Sequence, residues 1–222
     1  MWRTSRSWTV HRALVFTAAG PGGAVLVQTR RGALVQDRWP DLVAAAEAQL
    51  PRGLVLDGEL LVWDAEAGRL SFEALQRRAA ARARGAPALA AGWSAYFAAF
   101  DVLQLDGEEL LQRPYKERRA LLEQLFTDHA LTAPWTLVPM TTDLVKAREW
   151  LETWTDVSGV EGLLIKSLTN GRWHATGRVR RGWRRAAGHL TSWPVRLFRL
   201  PASDGTQTAS ASPWRWAVLP AS

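Results

Sequence analysis

The sequence predicts an α+β fold in which antiparallel sheets are flanked by helices, and three observations carry that expectation. Arg12 to Thr17 and Ala24 to Thr29 are short β-branched and aliphatic runs separated by Ala19-Gly20-Pro21-Gly22-Gly23, a strong turn signal, and read as a hairpin. Two longer apolar runs, Leu54 to Trp63 and Ala95 to Leu105, have the length and composition of buried strands. Between and after them, apolar residues recur at helical spacing in four segments.

Trp39-Pro40-Asp41 opens a helix that runs to Leu50, with Leu42, Val43, Ala46 and Leu50 on one face and Pro51 to Gly53 ending it. After the first long strand, Asp64 to Gly68 turns the chain. Ser71 then caps a helix carrying Phe72 and Leu75, with Arg77, Arg78, Arg82 and Arg84 following. Ala79 to Gly92 is rich in alanine and arginine and is expected to end as a loop. Its basic face either follows a nucleic-acid backbone or is simply solvated.

Asp106-Gly107 closes the second long strand as a tight turn. Pro114 lies in the first turn of a helix whose apolar stripe is Leu121, Leu122, Leu125 and Phe126. Trp135 to Pro139 is a short strand candidate. From Asp143, the residues Leu144, Ala147, Leu151 and Trp154 follow helical spacing. Gly159 to Lys166 is the last stretch with a regular pattern. Ser167 to Ser222 is expected to be largely irregular, with one candidate strand near Val195 to Leu200. We therefore expect one main domain over residues 1–185 and an irregular tail over 186–222 with no domain of its own.

Composition narrows the function classes. The 222-residue chain, 47% hydrophobic, can bury a large core. No run of about 18 apolar residues points to a membrane span, and the N-terminal stretch has no signal-type apolar core. The absence of cysteine excludes disulfides and thiolate metal sites and agrees with a cytoplasmic protein. His11, His129, His174 and His189 have no metal-ligand spacing. Net charge is +7 with a pI near 10.8, favouring a polyanionic partner such as nucleic acid. Of the 28 basic residues only Lys116, Lys146 and Lys166 are lysines, a bias that also fits a GC-rich bacterial genome.

Asp57-Gly58-Glu59 lies inside the first long apolar run, where a carboxylate without a partner costs several kcal/mol. A solvent-facing position or an arginine partner would compensate it. The surroundings of these acids match a family. The stretch DGELLVWD followed by GRLSFEALQRR resembles the third nucleotidyltransferase motif of ATP-dependent DNA ligases. Tyr96 to Leu103 is similar to the next motif, in which an aromatic residue that stacks on adenine is followed by Asp. Glu161-Gly162-Leu163-Leu164-Ile165-Lys166 is similar to the fourth, Glu-Gly-x-x-x-Lys. Thr29-Arg30-Arg31-Gly32 resembles an element that follows the first motif, and family members carry a Pro-Tyr-x-x-Arg-Arg similar to Pro114 to Arg119. The resemblance covers roughly residues 11 to 185.

The resemblance implies an ATP-grasp-like nucleotidyltransferase domain that uses ATP and Mg²⁺ to seal nicked duplex DNA in repair and recombination, as a monomer. It further implies that Arg12, Arg30, Glu59, Phe100, Lys166 and Arg185 bind the nucleotide, with Phe100 against adenine, and that Glu59 and Glu161 serve the metal. Oxygen donors suit Mg²⁺.

The departures are at the two ends. The family's first motif, Lys-x-Asp-Gly-x-Arg, carries the lysine that attacks the α-phosphate of ATP. Here Ser7 stands at the lysine position, Thr9 at the Asp and Val10 at the Gly, and only Arg12 matches. The fifth motif, Trp-x-Lys-x-Lys, aligns with Trp183 to Ala187 and keeps one cation, Arg185. Mis-set gene boundaries or frameshifts would produce such erosion. The tail is shorter than the oligonucleotide-binding barrel that normally follows in these ligases. Three readings compete: a ligase adenylation domain, an inactive or truncated relative that binds nucleotide or DNA without ligating, and a basic globular protein with no nucleotide site.

Overall fold

A computed structural model describes residues 11–154, 163–165, 177–179 and 195–196. The hairpin forms as expected. β1 (His11–Phe16) and β2 (Leu26–Thr29) pair antiparallel, with Ala13 opposite Thr29 and Phe16 opposite Leu26. β3 (Val55–Asp64) lies against the other edge of β1, and β5 (Ala95–Leu105) against β3, both antiparallel. Three short strands complete this sheet. β4 (Arg69–Leu70) extends β3 past the end of β1, β6 (Glu108–Glu109) returns along β5, and β7 (Trp135–Leu137) joins β5 further along. The sheet is therefore seven-stranded, in the order β2-β1-β3-β5-β6, with β4 and β7 as additions to β3 and β5. The β5–β7 pair is parallel, so the all-antiparallel expectation is corrected at this one place. A fourteen-residue helix, α4 (Tyr115–Asp128), lies between the two strands, and a crossover of that kind returns the chain in the same direction.

The helices cover one face. α1 (Pro40–Gln49), α2 (Phe72–Ala80) and α4 contribute Leu42, Ala46, Ala74, Leu75, Leu122 and Leu125 to a core with Ala13, Val15, Leu56, Leu60, Val62, Phe97, Ala99 and Trp135 of the sheet. Side chains on a strand alternate between faces, so these strand positions also fix what lies on the other side. Ser71 caps α2, its Oγ accepting from the Ala74 amide at 3.2 Å. Asp143 caps α5 (Leu144–Trp154), accepting from the Val145 amide at 2.7 Å.

Two glycines have evident steric reasons. Gly58 lies under Phe97, and a Cβ there would fall 2.4 Å from Phe97 Cε1 and 2.6 Å from the Ala98 carbonyl oxygen. Gly53, at φ +68°, approaches the Asp106-Gly107 turn, and its Cβ would lie 2.6 Å from the Gly107 nitrogen. That turn has positive φ at both residues, as a two-residue hairpin with its strand twist requires.

The stretch from Ala79 onward does not end as a loop. After a 3₁₀ turn at Ala83–Gly85 it forms α3 (Ala86–Gly92), which has proline in its first turn and buries Ala86. Alanine and leucine have the highest helix propensities, and proline is tolerated in a first turn. Arg78 is also not part of an outer basic face. It is fully buried, donates from Nη1 to Asp41 Oδ2 (2.8 Å) and to the Trp93 carbonyl (2.7 Å), and lies over the Trp39 ring at 4.6 Å. It ties α1, α2 and the start of β5 together.

A second sheet has the order β10-β9-β11-β8, all antiparallel. It is built from β8 (Met140–Thr141), β9 (Leu163–Ile165), β10 (Gly177–Val179) and β11 (Val195–Arg196). β11 falls at the candidate strand near Val195, whereas β10 lies in a stretch expected to be irregular. Its order comes from pairing with β9, a non-local contact that leaves no period in the local sequence. Among the described residues no helix is long and apolar enough to cross a membrane.

Candidate functional site

The face of the first sheet opposite the helices carries a straight row of register partners. Arg12 on β1 is opposite Glu59 on β3, Glu59 is opposite Ala98 on β5, and Ala98 is opposite Thr136 on β7. Asp57 and Phe100 lie in the next row. A register shift between Asp57 and Gly58 places Asp57 opposite Asp101, with Phe100 at the irregularity. Bulges of this kind re-aim side chains at sites.

Asp57 is fully buried, and arginine is its compensation. Arg12 donates from Nε to Oδ1 at 2.8 Å and from Nη2 to Oδ2 at 2.5 Å. The same guanidinium lies 5.6 Å from the centre of the Phe100 ring, within range of a cation–π contact. Asp57 thus orients Arg12 between Glu59 and Phe100.

Two buried carboxylates facing each other across adjacent strands repel, and each here has its own cation. Asp101 is held by Arg118 of α4, from Nε at 3.0 Å and from Nη2 at 2.9 Å. Arg118 Nη1 also donates to the Arg113 carbonyl at 2.6 Å. Tyr115 donates from its hydroxyl to the Phe100 carbonyl at 3.2 Å, and Arg119 from Nη1 to the Val138 carbonyl at 2.8 Å. The first turns of α4 therefore hold the Phe100 carbonyl and the carbonyl of Val138, which packs with the Phe100 ring alongside Ala98 and Leu61. Burial pushes the phenol of Tyr96, on the same face, above its ordinary value of 10.0.

Of the residues that the sequence singled out, Arg12, Glu59 and Phe100 come together on three neighbouring strands. Arg30 is exposed in a turn closed by the Gly32 amide on the Thr29 carbonyl (2.8 Å), and its own amide donates to the Arg12 carbonyl at 3.3 Å. Ser7, Glu161, Lys166 and Arg185 lie outside the described residues, although β9 is the Leu-Leu-Ile segment between Glu161 and Lys166. Among the described residues no group of three or more His, Asp or Glu is arranged to hold a metal ion.

Sequence reasoning assigned no role to Asp57, Asp101, Tyr115, Arg118, Arg119 or Thr136. The Pro-Tyr-x-x-Arg-Arg pattern was the available signal for the α4 residues. Thr136 gave none, because its place depends on a parallel pairing.

The chain is an α+β domain whose helices cover one face of the first sheet and whose opposite face brings together an oriented arginine, a carboxylate and an aromatic ring. A family model described as the ATP dependent DNA ligase domain matches residues 12–185. The chain belongs to the ATP-dependent DNA ligase family. It is 35% identical over 161 residues to DNA ligase C2 of Mycolicibacterium smegmatis, covering 72% of this chain and 43% of that protein. It is 33% identical to DNA ligase C of Mycobacterium tuberculosis over 161 residues, with the same coverage of each. A solved structure described as mycobacterial DNA ligase D complexed with ATP and MES is similar at a TM-score of 0.52 and 28% identity, over 84% of this chain and 51% of that one. The chain thus spans about half the length of the relatives it matches or less.

Proposed function

We propose that this chain is the nucleotidyltransferase domain of an ATP-dependent DNA ligase, ATP-grasp-like in fold, which binds ATP with Mg²⁺ and acts on nicked duplex DNA in repair and recombination. The observation that carries the reading is the convergence of Arg12, Glu59 and Phe100 on one face of the sheet. The residues present suit a nucleotide: an aromatic ring for the base, a carboxylate for ribose or metal, and a guanidinium for phosphate. ATP, when bound, supplies the activated adenylyl group that the family transfers.

Each side chain has a separable task. Phe100 offers its ring to the purine, in exchange for the apolar covering it has now. Arg12, with its Nε and Nη2 held by Asp57, is a guanidinium already oriented on this face, with little ordering left to do on binding. Glu59 contributes an oxygen of the type that Mg²⁺ takes, with Glu161 the other expected carboxylate. Arg30, in the exposed turn beside Arg12, is suited to phosphate of nucleotide or DNA. Lys166, after β9, and Arg185 are assigned to the phosphates from the motif match.

Of the departures at the two ends of the match, the one at the nucleophile bears on the covalent step. The covalent step of this family needs an amine at position 7, and a serine cannot form the phosphoramide. The second reading, an inactive or truncated relative that binds nucleotide or DNA without sealing, rests on that residue. The binding claim is tested by titrating the full chain with ATP and Mg²⁺. Phe100→Ala should weaken binding several-fold, since aromatic stacking contributes about 1 kcal/mol. Equal affinity in the variant would remove the adenine assignment.

A further inference from the structure

Thr136 ends the row Arg12–Glu59–Ala98–Thr136, and its hydroxyl is an anomaly. The residue is 4% exposed, and Oγ1 is buried with no hydrogen-bond partner. A buried hydroxyl without a partner costs stability, which a hydrogen bond from a ligand would offset. Alternation fixes its direction. Its neighbours Trp135 and Leu137 pack in the helix-covered core, whereas Val138, which shares its parity, packs with Phe100 and Ala98 on the opposite face. Its register partner Ala98 has no polar group to offer.

We propose that Thr136 is a further ligand-contacting residue, whose hydroxyl accepts a hydrogen bond from the exocyclic amine of the purine stacked on Phe100. This rests on the nucleotide-binding reading above. The order of the row gives the polarity of the ligand. The guanidinium and the carboxylate lie on β1 and β3, and the aromatic ring is on β5. A nucleoside triphosphate lying across them with its phosphates toward Arg12 extends its base toward β7. Two buried side-chain atoms of β7 have no hydrogen-bond partner: Trp135 Nε1, whose ring packs in the helix-covered core, and the Thr136 hydroxyl on the opposite face, for which the edge of an adenine carries a donor.

Thr136→Val keeps the shape and removes the hydroxyl, and Thr136→Ser keeps the hydroxyl. In titrations of the full chain, Thr136→Val should bind ATP about three- to tenfold more weakly. Thr136→Ser should stay within about twofold of wild type. Purine riboside triphosphate, which lacks the amine, should bind wild type and Thr136→Val alike. Without nucleotide, Thr136→Val should unfold at the wild-type temperature or above it, which a structural hydrogen bond would not allow. Wild-type ATP affinity in Thr136→Val would overturn the inference. So would a loss that is equal for both triphosphates, or one accompanied by a lower unfolding temperature. The Phe100→Ala titration separates the levels. If that variant is weakened and Thr136→Val is not, only the Thr136 contact falls, whereas a wild-type chain that takes up no ATP removes the contact and the underlying reading together.

Discussion

Arg118→Met tests the charge arrangement behind Phe100 most directly. The substitution removes two bonds to Asp101, at 3.0 and 2.9 Å, and one to the Arg113 carbonyl at 2.6 Å. Asp101 is left at 0% exposure opposite Asp57, itself at 0%. Removing one partner of a buried ion pair costs about 3–5 kcal/mol. The Asp57 carboxylate that faces it adds repulsion once Arg118 is gone, which places this case in the upper part of that range. At roughly 2–4 °C per kcal/mol for a chain of this size, a loss of about 4 kcal/mol lowers the unfolding temperature by roughly 8–16 °C. Thermal and urea unfolding of the full chain measure it. Asp101→Asn combined with Arg118→Met removes the stranded charge and should be more stable than Arg118→Met alone. A loss below about 1 kcal/mol in the single variant, or a double variant less stable than the single, would show that the pair is not desolvated and would refute the account of α4 as an electrostatic clamp.

Further outcomes follow from other parts of the molecule. Gly58→Ala drives a methyl into Phe97 and the Ala98 carbonyl oxygen, and since backbone cannot yield as a side chain can, urea unfolding should record a loss of about 2–3 kcal/mol or more. Because the folded pKa of Tyr96 is raised by burial, its contribution to stability is intact below an ordinary phenol pKa of about 10 and is lost as pH rises through the folded value. Stability measured between about pH 9 and 11 should therefore fall less steeply in Tyr96→Phe than in wild type, and identical slopes would contradict it. Incubated with labelled ATP and Mg²⁺, the chain should retain no acid-labile lysyl adduct, given Ser7; label mapping to Lys166 would overturn this. Ser7→Lys with Thr9→Asp and Val10→Gly should be needed before any such label forms.

Legibility in the sequence followed the range of the interactions. The hairpin, α1, α2, α4, α5 and the two long strands were readable because turn residues, caps and apolar spacing lie within a few positions of the elements they specify. Arg12, Glu59 and Phe100 were singled out through motifs, and the three strands that bear them bring them together. The need of Asp57 for compensation was readable too, but its partner was not, because Arg12 lies 45 residues away in sequence. The same holds for Arg78, which resembled its exposed neighbour Arg77 in sequence and differs from it by meeting Asp41 and Trp39. β10 and the parallel β5–β7 pair depend on partners supplied by other segments. Thr136 was illegible for the same reason, since nothing in Trp-Thr-Leu tells which face of which sheet the threonine meets.

The position of β11 bears on how this protein can be handled as a fragment. In the second sheet β9 and β8 are not neighbours, and the two residues Val195 and Arg196 bridge them, with Val195 paired to both Ile165 and Thr141. A fragment cut where the family match ends, at residue 185, would retain β8 and β9 and lose the strand between them. The backbone groups of Met140, Thr141, Leu164 and Ile165 that pair with Val195 and Arg196 would lose those partners, and unpaired strand edges are the template on which chains add to one another edge to edge. Self-association of such a fragment would therefore report a missing strand rather than a native oligomer, and a shortened version for crystallisation or binding work should keep Val195 and Arg196.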